Sequence, residues 1–142
     1  MTATTSLDAE DLTLLEAANR VRANAHVPYS HFAVGAAILA DDGRIYAGCN
    51  IENAAYPEGN CAETSAIAAM VIGGGKRIER ILVTGPGDVP VTPCGGCRQR
   101  IREFAAPDVP VICCSDKGSP LITSLAGLLP HSFGPNHLEA SQ

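Results

Sequence analysis

Residues 61–84 read CAETSAIAAMVIGGGKRIERILVT and hold both halves of an alternating architecture. The alanine-rich run from Cys61 to Ile72 suits a helix, and Gly73-Gly74-Gly75 ends it. Ile78 to Thr84 is then an apolar run of the length and composition of a buried strand. Beyond it, Gly85 to Pro93 is too rich in glycine and proline to be anything but a loop. A second helix is expected over about Gly95 to Phe104 and a second strand over Val109 to Cys114, while Leu121 to Leu129 has room for a short strand and a helical turn before Pro130. On the other side, Phe32 to Ala40 and Arg44 to Cys49 flank Asp41-Asp42-Gly43 and predict a hairpin, followed by a polar loop from Asn50 to Asn60. Further upstream, Ser6 is expected to cap a helix with Asp8, Glu10 and Asp11 in its first turn and Leu14, Ala18, Val21 and Ala25 at helical spacing. A hairpin followed by helix, strand, helix and strand predicts one α/β domain over residues 1–142, with a mixed sheet and crossover helices on its face.

Composition narrows the function. Fifteen acidic residues against ten basic ones give a net charge of -5, which disfavours a nucleic-acid partner, because such binding draws on lysine and arginine. Charged residues are only 18% of the chain and hydrophobic ones 46%, which points to surface covered by other subunits. The stretch Met1 to Asp11 carries acidic residues and no apolar segment, so it does not read as a signal peptide. Apolar runs such as Ala66 to Ile72 are too short to span a bilayer, so no membrane partner is expected. A cytoplasmic protein keeps its thiols reduced, and six cysteines there are better explained by metal or packing than by disulfides.

Two glycine clusters resemble nucleotide loops, and both fail on position. Gly73-Gly74-Gly75-Lys76 follows a helix instead of preceding one, and Arg77 stands where Ser or Thr is needed. Gly85-Pro86-Gly87 has Pro90 where a third glycine belongs.

The chemistry gathers in Cys61-Ala62-Glu63 and Pro93-Cys94-Gly95-Gly96-Cys97-Arg98. Three thiolates suit a tetrahedral Zn2+ and leave its fourth position free, and a carboxylate beside them can carry protons. Cys94 and Cys97, three apart, share one face of a helix start, where N–H groups and the helix dipole stabilise thiolates. Residues two apart do not face each other in a regular helix, so Cys61 should sit at the cap for Glu63 to reach the same cavity. Alternatives stay open on these residues alone. Cys94 and Cys97 could be a redox pair, and Cys49, Cys113 or Cys114 could complete a structural four-cysteine zinc. The histidines, His26, His31, His131 and His137, show no ligand spacing and read as surface or interface residues.

Taken together, the chain resembles the small homotetrameric cytidine deaminase family. The likeness runs from Val27-Pro28-Tyr29-Ser30-His31-Phe32-Ala33-Val34-Gly35 through Gly48-Cys49-Asn50-Ile51-Glu52-Asn53 and the two metal motifs to Leu128-Leu129-Pro130-His131-Ser132-Phe133. It implies a three-layer α/β/α fold around a sheet of about five strands. It also implies hydrolytic deamination of cytidine and 2'-deoxycytidine, in the manner of zinc deaminases, with Zn2+ on Cys61, Cys94 and Cys97 and Glu63 as proton carrier. Asn50 and Glu52 would bind the ribose hydroxyls, and a carboxylate there would repel a phosphate, favouring a free nucleoside. Phe32 would line the base pocket, and the backbone at Ala62 and Pro93 would position the base. Phe133, and with it Tyr56, would reach a neighbouring subunit's site in a homotetramer. Many family members carry arginine directly after the glutamate, where this chain has Thr64; Arg98 is therefore expected to donate to a zinc-bound sulfur. Two alternatives remain at this point: a deaminase of another small aminopyrimidine or aminopurine nucleoside, and a zinc protein without turnover.

Overall fold

The computed structural model describes residues 6–139. Its first helix, α1 (Ala9–Arg22), is capped by Asp8 and starts two residues later than a Ser6 cap would place it. The Asp8 carboxylate accepts from the Asp11 N–H at 2.8 Å, and the Asp11 carboxylate accepts from the Asp8 N–H at 3.2 Å. This reciprocal box satisfies two end groups at once, which a lone Ser6 hydroxyl cannot. Residues 1–5 of the acidic stretch read as lacking a signal segment lie outside the described residues.

The hairpin forms as expected, with β1 (Gly35–Ala40) antiparallel to β2 (Ile45–Cys49) in the register Gly35↔Cys49 to Leu39↔Ile45. Gly43 takes a φ of 79° in the turn, a backbone state open to glycine. After a 3-10 turn at Tyr56–Glu58 come α2 (Ala62–Ile72), β3 (Ile78–Gly85), α3 (Gly95–Phe104) and β4 (Pro110–Ser115). The tail adds β5 (Leu121–Ser124), α4 (Leu125–Leu128) and α5 (Pro135–Glu139), the last of which the sequence pattern had not suggested.

The sheet order is β2-β1-β3-β4-β5. Only β3 and β4 are parallel, joined by the crossover through α3; the other pairs are antiparallel. Period-two alternation divides the core between the two faces. Ala36, Ile38, Ile81, Val83, Val111 and Cys113 pack with Ala66, Met70 and Ile101 of α2 and α3. Ala37, Leu82, Ile112 and Cys114 face the opposite way, onto Leu14 and Ala18 of α1. The central strands are therefore covered on both sides, which is why they read as continuous apolar runs. Helices on both faces of a mixed five-stranded sheet make the three-layer α/β/α arrangement. No helix among the described residues is long and apolar enough to cross a membrane.

Candidate active site

Cys61 is the N-cap of α2 and Cys94 the N-cap of α3, both with extended backbone (ψ 160° and 169°). Neither thiol caps its own helix through a side-chain bond, so both stay free to act as ligands. Cys97, buried at the third position of α3, completes the group, and the three Sγ atoms lie within 4.8 Å of one another. The Cys61 and Cys94 sulfurs are 3.8 Å apart. Tetrahedral zinc with Zn–S bonds of about 2.3 Å requires sulfurs about 3.8 Å apart, so the donor set fits that ion. Among the described residues no fourth His, Cys, Asp or Glu joins this group. Cys113 and Cys114 face opposite sides of β4 within the two cores, and burial pushes their thiols up to about 12 and about 11. They behave as small hydrophobes, and the four-cysteine alternative loses its candidates.

Glu63 follows the cap by two residues and is only 4% exposed. Burial holds its carboxyl above the ordinary value, partly opposed by its own backbone N–H, by Cys97 and by the positive charge of Arg100. Thr64 Oγ1 lies 3.8 Å from the Cys97 sulfur, and Arg100 Nη1 donates to that sulfur at 3.7 Å.

Arg98 is engaged elsewhere. Its Nε donates to the Pro93 carbonyl at 2.8 Å and its Nη1 to the Leu128 carbonyl at 2.9 Å. The expected bond from Arg98 to a ligand sulfur is thus replaced by one from Arg100. One step along a helix turns a side chain about 100° away, whereas three steps return it to the same face. That rule, applied to Cys97, singles out Arg100 from sequence.

An open cleft of about 530 Å³ reaches the metal group at Cys61 and is lined also by Asn50 and Glu52 together with Tyr29, Ser30 and Tyr56. No Lys or Arg is among its lining residues. Asn50 Oδ1 accepts from the Val34 N–H and its Nδ2 donates to the Phe32 carbonyl, both at 2.9 Å. Glu52 accepts from the Ser30 hydroxyl and from the N–H groups of Tyr29 (3.0 Å) and Ser30 (3.2 Å). The Ser30 hydroxyl holds the carboxyl below the usual carboxylate range, helped by those N–H groups. Ser30 was not singled out from sequence; a hydroxyl one loop away carries no local signal of such a contact.

Phe32 is 44% exposed and stands beside Gly85, outside the cleft lining. Ala62 and Pro93 are buried next to Cys61 and Cys94. Phe133, 58% exposed, stacks on His137 at 4.9 Å and its carbonyl accepts from Gln99 Nε2 at 2.8 Å, so it too lies away from the cleft. All four histidines are exposed.

The family model for the cytidine and deoxycytidylate deaminase zinc-binding region matches residues 8–113. A cytidine deaminase of Sporosarcina psychrophila is 45% identical over 125 residues, covering 88% of this chain and 92% of the relative. The cytidine deaminase of Mycobacterium tuberculosis strain H37Rv is 41% identical over 129 residues, covering 85% and 87%. The crystal structure of cytidine deaminase from Burkholderia pseudomallei shares the fold with a TM-score of 0.82 and 38% identity, covering 89% of this chain and all of that one. A donor set shaped for zinc lies within the matched residues, and the chain belongs to the cytidine and deoxycytidylate deaminase zinc-binding family, with Zn2+ as its cofactor.

Proposed function

We propose that this chain hydrolyses free cytidine and 2'-deoxycytidine to uridine and 2'-deoxyuridine, releasing ammonia. The observation that carries this reading is the buried Glu63 carboxyl on the first turn of the helix capped by Cys61, one of three grouped thiols that no fourth His, Cys, Asp or Glu joins among the described residues. Cys61, Cys94 and Cys97 would hold the zinc ion, which when bound would supply the Lewis acidity that makes water a nucleophile near neutral pH. Glu63 would take a proton from the attacking water and give it to ring N3, which makes C4 electrophilic. As the water oxygen bonds to C4, Glu63 passes the second proton to the amino group, and the C4–N bond breaks. The raised proton affinity of a buried carboxyl suits a group that must hold and release a proton in turn.

Asn50 and Glu52 would take the sugar hydroxyls, and both have unused hydrogen-bond capacity. The Ala62 backbone and the Pro93 carbonyl would face the base, with Phe32 beside it. Arg98, already donating to Pro93, would hold that carbonyl in place. A lining without Lys or Arg and with a carboxylate supports a nucleoside over a deoxycytidylate-type nucleotide. The chain would assemble as a homotetramer in which Phe133 and Tyr56, 58% and 76% exposed, reach a neighbouring subunit's site; exposed aromatic rings support such an interface.

Zinc-loaded protein mixed with cytidine should convert it, seen as the ultraviolet change on forming uridine. Glu63→Gln should keep its zinc and lose about 10²–10⁴-fold or more in rate. No conversion by the zinc-loaded protein overturns the reading, an indifferent Glu63→Gln leaves a structural zinc protein, and faster turnover of deoxycytidylate removes the nucleoside preference.

A further inference from the structure

We infer that Arg100 and Thr64 act together as positioning residues for the metal centre, balancing the charge of its three thiolates through the Cys97 sulfur. This rests on the zinc-loaded site proposed above. Three thiolates around a divalent ion leave a formal charge of -1, and Cys97 is the sulfur most deeply removed from water, with no exposed surface. It is also the sulfur that receives contacts from two helices, Arg100 Nη1 on α3 at 3.7 Å and Thr64 Oγ1 on α2 at 3.8 Å. The guanidinium can only donate, and to a metal-binding thiolate, which only accepts, the Thr64 hydroxyl donates as well.

The path of Arg100 is specific. Helical side chains lean toward the N-terminus, which carries residue 100 back over residues 96 and 97. Residue 96 is glycine, and a Cβ there would lie 3.2 Å from Arg100 Nη1, closer than side chains ordinarily approach. Gly96 therefore leaves the guanidinium uncrowded beside the sulfur, where a side chain would make it give way by a few tenths of an ångström. Among the described residues Arg100 forms no ion pair, although Glu103 stands three residues further along the same helix. Its charge is left for the thiolate. The other nearby arginine, Arg98, is held by two carbonyls and supplies no such contact. A cation and a hydroxyl donating to one metal-binding sulfur offset its negative charge and temper its donor strength.

The test compares wild type, Arg100→Gln, Arg100→Lys and Thr64→Val for zinc affinity by chelator competition, and for the sulfur-to-metal charge-transfer band of the cobalt(II) form. Arg100→Gln should bind zinc about 10–100-fold more weakly and move the band to lower energy. Arg100→Lys, which keeps the charge, should recover much of the affinity, and Thr64→Val should shift the band in the same direction by less. An unchanged affinity and an unmoved band in Arg100→Gln overturn the inference. If that variant does not fold, Thr64→Val decides, and an unmoved band there overturns it equally. Wild type that fails to bind one zinc per chain removes the metal-site reading itself, whatever the variants do.

Discussion

The side chain of Asn50 stands in for a strand partner to the backbone around Phe32. It accepts from the Val34 N–H and donates to the Phe32 carbonyl, each at 2.9 Å, while the Asn50 N–H donates to the Val34 carbonyl at 3.2 Å. The Phe32 carbonyl and the Val34 N–H thus pair with a side-chain amide instead of a neighbouring strand, and the ladder begins only at Gly35. Replacing Asn50 by Ala strands a donor and an acceptor at once. Unfolding by urea should show a loss of about 1–3 kcal/mol. The Michaelis constant for cytidine should rise at least about tenfold, because the proposed sugar contact and the placement of Phe32 depend on the same amide. Retention of both stability and substrate affinity in Asn50→Ala would show that this amide neither holds the segment nor meets the sugar.

Ser30 joins the same segment to Glu52, donating its hydroxyl to the carboxylate and accepting from the Phe32 N–H at 3.0 Å. The Ser30 hydroxyl, before the backbone N–H groups, holds Glu52 below its ordinary range. A carboxyl depressed in the folded state stays ionised, and keeps its contacts, until the pH falls through that lowered value. Ser30→Ala lets the value rise again, so substrate affinity should begin to fail at a higher pH than in wild type. The Michaelis constant measured over about pH 3–6 reads this; identical acid limbs in the two proteins would remove Ser30 from the site.

What was legible from sequence follows from how local each signal is. The helix over Gly95–Phe104 and the hairpin turn at Asp41-Asp42-Gly43 depend on propensities and turn residues a few positions apart, and both stand where the pattern put them. Cys61 at a helix cap followed from its two-residue spacing to Glu63. The errors have two sources, local signals outweighed by their neighbours and partners far along the chain. The first helix start moved because Asp8 and Asp11 satisfy each other, and the first strand shortened because Asn50 reaches back across 16 residues. Arg98 is suggested by its adjacency to the motif, whereas helical phase from Cys97 points to Arg100. Ser30, bonded to Glu52 across 22 residues, left no trace a single sequence could show.

Arg22 ties three elements together at the end of the sheet nearest Phe32. Its Nε donates to the Ala33 carbonyl at 2.9 Å, and its two terminal nitrogens grip the Asp116 carboxylate at 2.7 Å and 3.0 Å. Arg22→Ala should cost about 1–3 kcal/mol, since the Ala33 carbonyl loses its donor. Asp116→Asn should cost less, about 0–1 kcal/mol, because the carboxylate side chain is half exposed and screened by solvent. The Arg22 guanidinium holds the Asp116 carboxyl below its ordinary range, so this pair stabilises the fold above that range and its contribution fades as pH falls through the lowered value. Thermal melts of wild type and Asp116→Asn should therefore converge in acid. A gap that persists at low pH would assign the effect to packing instead of charge.

Gly48 sets how closely the hairpin approaches the helix that carries Cys61, Glu63 and Thr64. A Cβ at this position would lie 2.4 Å from the Ala66 amide nitrogen and 2.7 Å from the Ser65 carbonyl carbon, both backbone atoms that cannot swing aside. Gly48→Ala must push α2 away from β2 or distort the pairing of Gly48 with Ala36. Overpacking of this kind costs about 1–3 kcal/mol. Displacement of α2 also moves Cys61 relative to Cys94 and Cys97, which sit on a separate helix. Zinc affinity should fall together with the melting temperature, and the loss should exceed that in a variant of similar stability changed far from α2. Gly95→Ala gives the opposite sign: nothing lies within 4 Å of its added Cβ, so the helix gains up to about 1 kcal/mol. A Gly48→Ala protein that melts and binds zinc as wild type does would mean that strand and helix separate without cost, and that the metal site is not held by this contact.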